Sequence, residues 1–123
     1  MRGRMPHPDT HLALLRQCAD NCRATLFEHC LPSGGSHIEA EHVERMMDCI
    51  EICRAAVDFM TRGSRQHGII CAAAAEICLA CADSCSQLDD PIMDRCADIC
   101  RRCADGCIAM AEAAGYPFHE QAA

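Results

Sequence analysis

Cysteine and other apolar residues recur along the chain at spacings of three and four, and acidic residues stand between them. This spacing is typical of an α-helix with one buried face, and the scattered β-branched residues do not alternate as they do in strands. Breaks that contain proline or glycine separate four such segments. The pattern predicts helices over about residues 10–31, 37–62, 65–88 and 91–114, followed by a short tail over 115–123.

Residues that commonly start helices stand at the predicted breaks. Ser36 and Glu39 fit a capping box, in which each of the two side chains binds a free backbone N–H group. Ser64 is placed to cap the third helix, and Asp90 followed by Pro91 is placed to start the fourth. Four helices of similar length with short connections favour an all-α fold, an antiparallel up-down-up-down four-helix bundle that forms a single domain over residues 1–123.

A short unit, Cys-Ala-Asp-x-Cys, appears at residues 18–22, 81–85, 96–100 and 103–107, with a variant at 49–53. At about 100° per residue, its two cysteines share one helix face, and the acid between them points to the other side. Cys30, at the end of the first helix, is predicted to be rotated away from the face of Cys18 and Cys22. We expect cysteines to line the core of the bundle and to be the metal ligands, namely Cys18, Cys22, Cys30, Cys49, Cys53, Cys71, Cys78, Cys81, Cys85, Cys96, Cys100, Cys103 and Cys107.

Composition and charge narrow the class of protein. The net charge is −7 and there is no lysine, so the chain lacks the basic patch that nucleic acid or an anionic membrane surface would need. Thirteen cysteines are an odd number and cannot all pair within one chain. No signal peptide is visible, and no stretch is expected to approach the roughly 18 apolar residues of a membrane span. These features favour the cytoplasm, where thiols stay reduced.

Metal binding explains the cysteine pattern better than disulfides do. Cβ atoms at i and i+4 of a helix lie roughly 5 to 6 Å apart, whereas a disulfide needs about 3.8 Å. Zinc sites and iron–sulfur clusters usually take four ligands from loops, and the cysteines here lie within predicted helices. Cu(I) is soft, accepts two or three thiolates and can be held by a Cys-x-x-x-Cys pair on a rigid helix. The residues favour several to many Cu(I) ions, and they leave open an Fe–S electron carrier, a thiol redox sensor, or a zinc or cadmium buffer of metallothionein type.

Enzymatic chemistry finds little support in the sequence. There is no glycine-rich phosphate loop, no nucleophile elbow and no His-Glu-x-x-His zinc motif. A catalytic cysteine needs an exposed, electropositive site, whereas these cysteines are predicted to lie in the core of an acidic protein. The sequence therefore predicts a protein that is not an enzyme.

The repeated Cys-x-x-x-Cys units inside each helix resemble those of the bacterial copper storage proteins, and the absence of a visible signal peptide is similar to their cytosolic branch. The resemblance covers roughly residues 10 to 114. It implies a homotetramer of bundles that stores or buffers Cu(I), with a copper chaperone as an unidentified partner. The chain departs from the fuller pattern at Leu26, at Ala75 and in the second helix, which has only one cysteine pair. These departures bear on the number of ions and not on the metal.

Histidine and methionine form a second layer of candidate ligands at the two ends of the predicted bundle. Thioether and imidazole bind Cu(I) more weakly than thiolate does, so they suit the reception and transfer of ions. One end collects His42, Met46 and Met93 together with Cys30 and Cys85, and the other collects His11, Met60, His67 and Met110. We expect the first of these ends to be the entrance for copper, because the terminal segments lie near the other.

Overall fold

The computed structural model describes residues 8–116 of the chain. It contains four long helices: α1, Pro8–Thr25; α2, Ala40–Thr61; α3, His67–Ser86; and α4, Pro91–Ala113. A π-helical turn, Leu26–Cys30, and a single α-helical turn, Leu31–Ser33, extend α1, and a 3-10 turn, Gly35–Ile38, precedes α2. No strand occurs between residues 8 and 116. Most of the predicted tail, from residue 117 onward, lies outside the described residues.

The four helices form a closed square in which each helix packs against two others. Helix α1 packs against α2 and α4, and α3 packs against the same two neighbours. Because short connections join successive helices, neighbours run antiparallel, and the predicted four-helix bundle is confirmed. The core lies on the common axis and consists of the cysteines, a few larger side chains such as Leu15 and Leu26, and many alanines.

The start of α4 agrees with the sequence prediction, whereas the start of α2 does not. The Asp90 carboxylate accepts a hydrogen bond of 2.8 Å from the backbone N–H of Met93, as expected of a helix cap. The predicted capping box of Ser36 and Glu39 is wrong, because Glu39 has extended backbone and itself occupies the cap position. The reason is the 3-10 turn, in which the His37 imidazole bonds to Asp90 at 2.7 Å.

The π-helical turn changes the direction of Cys30. The backbone N–H of Leu31 donates to the carbonyl of Leu26, five residues earlier, so the turn contains one residue more than an α-helical turn. A continuous α-helix would rotate Cys30 by about 80° from Cys22. The wide turn rotates it back, and Cys30 is fully buried. The prediction that Cys30 faces away from the other cysteines of its helix is therefore wrong.

Helix α3 is the most apolar of the four. By length and composition alone, it is long and apolar enough to cross a membrane. The expectation that no stretch approaches this limit is therefore wrong. Its cysteine and alanine face, which includes Cys78, Ala74 and Ala82, is fully buried in the bundle. Core helices of globular proteins commonly meet the same criterion, and packing between α2 and α4 accounts for the composition of α3.

Candidate metal centre

All thirteen cysteines are free thiols and are buried. Alanines next to them on the inner faces, such as Ala74, Ala104 and Ala111, are also fully buried. Small side chains at these positions let the helices approach closely, so that sulfur atoms from different helices meet on the axis. The prediction that cysteines line the core is confirmed by their burial.

Two groups of four thiols form the centre of this core. The upper cluster consists of Cys18 and Cys22 from α1, Cys49 from α2 and Cys100 from α4, and its four Sγ atoms lie within 4.8 Å of one another. The lower cluster takes one thiol from each helix and meets the same distance limit, with the members Cys18, Cys53, Cys78 and Cys103. Cys18 belongs to both clusters and joins them into one column.

The distances between sulfur atoms suit a metal ion better than a disulfide. The shortest, between Cys22 and Cys100, is 3.5 Å, and the Cys78 to Cys103 distance is 4.0 Å. A disulfide bond measures about 2.05 Å. A metal–thiolate bond of about 2.3 Å separates two sulfurs of a three-coordinate ion by about 4.0 Å. The thiols therefore already have nearly the spacing of ligands that share an ion.

The contacts that join the column run between helices. Cys49 on α2 lies 3.7 Å from Cys18 on α1 and 3.7 Å from Cys78 on α3. Cys100 on α4 lies 3.8 Å from Cys81 on α3. The i,i+4 pairs therefore contribute to clusters that mix helices, and an ion in such a cluster would bond helices that are distant in sequence.

Burial without a neighbouring cation keeps the outer thiols protonated. Burial raises the pKa of Cys30 and of Cys71 to about 11. Within the column the thiols are coupled. The hydrogen bond with Cys100 lowers the pKa of Cys18, and the hydrogen bond with Cys18 raises that of Cys100. Soft metal ions must therefore displace protons from most of these thiols as they bind.

Raising the pH should destabilise the metal-free protein between about pH 9 and 11. The folded pKa of Cys30 and Cys71, about 11, lies above the ordinary value of 9.0. In this window the unfolded chain has lost the two protons and the folded chain has not, so the free energy of unfolding falls as pH rises. Thermal midpoints measured by circular dichroism under reducing conditions test this. A metal-free midpoint that stays constant across the window would contradict it, and the Cu(I)-loaded protein, whose thiols are already deprotonated, is the control.

At one end of the column, Cys30 meets two of the predicted auxiliary ligands. Its Sγ lies 3.7 Å from His42 Nε2 and 3.7 Å from Met93 Sδ. Ser84 Oγ lies 2.7 Å from His42 Nδ1 and fixes the ring, so that a proton on Nδ1 leaves the Nε2 lone pair facing Cys30. Met46 is fully buried on the neighbouring turn of α2. We call this group, Cys30, His42, Met46 and Met93, the upper end.

An open cavity leads to the upper end. Its volume is about 260 Å³, and His42 and Ser84 line it together with Glu39, Glu41 and Arg45. Since His42 is otherwise buried, this cavity gives its ring a route to solvent.

The opposite, lower end is built differently. His11 Nε2 lies 3.8 Å from Cys71 Sγ, and burial lowers the pKa of His11 to about 4. A Cβ atom at Gly106 would stand 2.8 Å from His11 Nδ1, so glycine makes room for the ring. The other three predicted residues of this end, Met60, His67 and Met110, line a surface cavity of about 340 Å³.

Sequence reasoning missed several residues that shape the site. Ser84 and Gly106 position the two buried histidines, yet each is too far away in sequence for spacing to reveal the contact. It also missed a third cluster near the surface, in which His29 and His37 approach the carboxylate of Asp90. The sequence indicates only a helix-capping role for Asp90, and no motif links it to either histidine.

Comparisons with known proteins agree with this geometry. The family model of the copper storage proteins matches residues 7–112. The Nmul_A1745 protein of Nitrosospira multiformis is similar in structure, with a TM-score of 0.83 and 42% sequence identity over 86% of this chain and 95% of that one. No curated protein sequence matches the chain.

Two further solved structures that are similar carry the name copper storage protein. The Cu(I)-bound form of the protein BsCsp3 gives a TM-score of 0.78 and 29% identity over 84% of this chain and 96% of that one. The metal-free form of copper storage protein 3 from Bacillus subtilis gives 0.77 and 27%, over 85% and 99% of the two chains. With a family model that matches nearly its whole length and a core of buried thiols, the chain belongs to the copper storage protein family.

Proposed function

We propose that the protein stores Cu(I), binding several to many ions per chain through the inward-facing thiolates of its bundle. The observation that carries this is the continuous column of sulfur atoms, in which Cys18 joins the two four-thiol clusters. A single structural metal would need four ligands and leave the remaining cysteines without a role. Cu(I), which accepts two or three thiolates, can occupy successive positions along the column.

Storage requires binding that is tight and reversible. Burial keeps competing ligands and oxidants away from the thiolates, while protons compete with Cu(I) for the same sulfurs. All thirteen cysteines are buried, and none of them lines the cavities described at the two ends, which favours a storage role and not catalysis. Thiols spaced 3.5 to 4.0 Å apart need a reducing environment to stay unpaired, and this supports the cytoplasm as the location.

Association into a homotetramer, as the family resemblance implies, is part of the proposal. Exposed apolar side chains on different helices support it, among them Phe27, Ile69 and Ile92. Such residues commonly mark surfaces that pack against other protein chains. Sedimentation or light scattering of the metal-free and loaded protein measures the mass directly.

Copper is proposed to enter at the upper end. The cavity beside His42 supports this, because it gives solvent access to a ligand that contacts Cys30. Arg45 pairs with Glu41 at 2.7 Å in this cavity, which leaves the carboxylate of Glu39 to favour cations. Copper would pass from imidazole and thioether ligands to the thiolates, which bind it more tightly.

Replacing Met46 and Met93 together by leucine should slow Cu(I) loading by about tenfold, equivalent to roughly 1.4 kcal/mol in the transient complex. Leucine preserves the buried volume, so the variant should stay folded. The final copper content should not change, because all thiols remain. Stopped-flow near-ultraviolet absorbance measures the rate. The matched control is Met60→Leu with Met110→Leu at the lower end, and equal slowing in both variants would contradict this entrance.

Titration of reduced, metal-free protein with Cu(I) under anaerobic conditions tests the function itself. Bathocuproine disulfonate competes for the metal, and bound copper is counted per chain. We expect the chelator to remain without copper until several ions or more are bound per chain, since thiolates hold Cu(I) tightly. Copper should also displace zinc or cadmium added beforehand. Binding of one ion or none would exclude storage, and iron reconstitution would then test the Fe–S alternative.

A further inference from the structure

Three ligand atoms outside the thiol column converge close to the upper end. His29 lies on the π-helical turn, His37 on the 3-10 turn, and Asp90 immediately before α4. Asp90 Oδ2 lies 3.1 Å from His29 Nε2 and 2.7 Å from His37 Nε2. The two rings are nearly perpendicular, at 85°, with their centroids 5.2 Å apart. We call this group the His–His–Asp cluster.

The carboxylate in this cluster is held in place and ionised. Its other oxygen, Oδ1, accepts a hydrogen bond from the backbone N–H of Met93. Although burial alone would raise the pKa of Asp90, the hydrogen bonds from Met93, His37 and His29 lower it. The three side chains are 19 to 23% exposed, so water can reach the point where they meet.

We propose that the His–His–Asp cluster is a second metal site of a different chemical class, which binds a borderline divalent cation such as Zn²⁺. Two imidazoles and a carboxylate suit such ions, whereas thiolates suit Cu(I). The ion binds the lone pairs of the two Nε2 atoms and of Oδ2 in place of the Nε2–Oδ2 hydrogen bonds, and each neutral ring then carries its single proton on Nδ1. Water supplies the fourth ligand, and the net charge of −7 favours binding of any cation.

Small movements are enough to admit the ion. Bonds of about 2.0 to 2.1 Å in a tetrahedral site separate neighbouring ligand atoms by about 3.3 Å. The present distances of 2.7 and 3.1 Å are slightly shorter, and all three ligand atoms lie within 4.8 Å of one another. An ion pair with Asp90 would need only one histidine, whereas here three ligand atoms from three segments lie close enough to share one ion.

The bound cation would join three segments of the chain near the proposed entrance. His29 directly precedes Cys30, and Asp90 holds the amide of Met93, whose Sδ contacts Cys30. The ion therefore fixes the backbone on both sides of the Cys30 to Met93 contact. Through this link a divalent cation would influence the Cu(I)-binding residues of the upper end without binding to them.

Zinc titration of the Cu(I)-loaded protein tests the proposal, because the thiolates are then occupied. With Zn²⁺ as the probe and a chromophoric zinc chelator as the competitor, we expect one equivalent to bind per chain. The variant His29→Ala with His37→Ala should bind it at least tenfold more weakly. Asp90→Asn should weaken it too, although asparagine still caps α4. The matched control is His67→Ala, at the lower end, which should bind zinc as the wild type does.

Two results would overturn the proposal. One is the absence of zinc binding by the wild-type protein, and the other is equal zinc affinity in the wild type and in His29→Ala with His37→Ala. Circular dichroism and copper content of each variant establish that the bundle is intact. The comparison is made between variants at equal copper loading, so its outcome does not depend on how much Cu(I) the column holds.

Discussion

Replacing Cys18, Cys49 and Cys100 by alanine is expected to remove most of the tightly held copper, although ten of the thirteen cysteines remain. These three residues join the upper cluster to the rest of the column. Among the described residues, the thiol–thiol contacts of 4.0 Å or less that remain without them are Cys22 to Cys96 and those among Cys53, Cys78 and Cys103. The measurement is the number of Cu(I) ions per chain that resist bathocuproine disulfonate.

A matched variant separates the loss of position from the loss of sulfur. Alanine at Cys30, Cys71 and Cys107 also removes three fully buried thiols, yet it leaves both four-thiol clusters complete. The two variants lose equal side-chain volume from the core, so their metal-free stabilities should be similar. The variant with alanine at Cys30, Cys71 and Cys107 should nevertheless retain much more copper. Equal copper loss in the two would mean that the thiols act independently and that the column has no special role.

Loading with Cu(I) is expected to raise the thermal midpoint of the protein by more than about 20 °C. A ligand present at a thousand times its Kd stabilises the folded state by about 4 kcal/mol, and each kcal/mol raises the midpoint by a few degrees in a domain of this size. Two such ions already account for the rise. The effect should be large because the lower cluster takes one thiol from each helix, so an ion held there by two or three thiolates joins two or three helices at once. Calorimetry or circular dichroism at increasing copper loading gives the midpoint.

The course of this stabilisation is as informative as its size. If ions bridge helices, the midpoint should rise with the first few equivalents and then level off, because the bundle is already cross-linked. Silver(I), another soft thiolate-binding ion, should reproduce the rise, and Mg²⁺, which prefers oxygen ligands, should not. A midpoint that does not change while copper binds would contradict cross-linking between helices.

Helical periodicity made the bundle predictable. A repeat of cysteine and alanine at i and i+4 places small side chains on one face, and four such faces can only be buried against one another. Asp90 and Pro91 gave the start of α4 directly, because both act within a single turn. The start of α2 was not predictable in this way. Its backbone follows the contact between His37 and Asp90, which are 53 residues apart in sequence.

The inward direction of the thiols was predictable, but their grouping was not. Spacing places Cys18 and Cys22 on one face, yet which thiols of the other helices they meet depends on the relative heights of the helices. Cys30 shows a second limit of prediction from spacing. A regular α-helix would turn its side chain away from the core, whereas the π-helical turn directs it inward. Pro32, which has no N–H to donate, is the one local signal that the helix is irregular there.

The π-helical turn also sets where the bundle opens most easily. Hydrogen bonding is less regular in this turn than in an α-helix, and beyond it the helix continues for only three residues before Gly34 ends it. Segments of this kind unfold locally at a lower free energy than the middle of a long helix does. Cys30 can thus be exposed by fraying of one helix end while the thiols farther along the axis stay covered. If copper enters at the upper end, as we propose, this local opening lets ions exchange without the global unfolding that a uniformly rigid bundle would require.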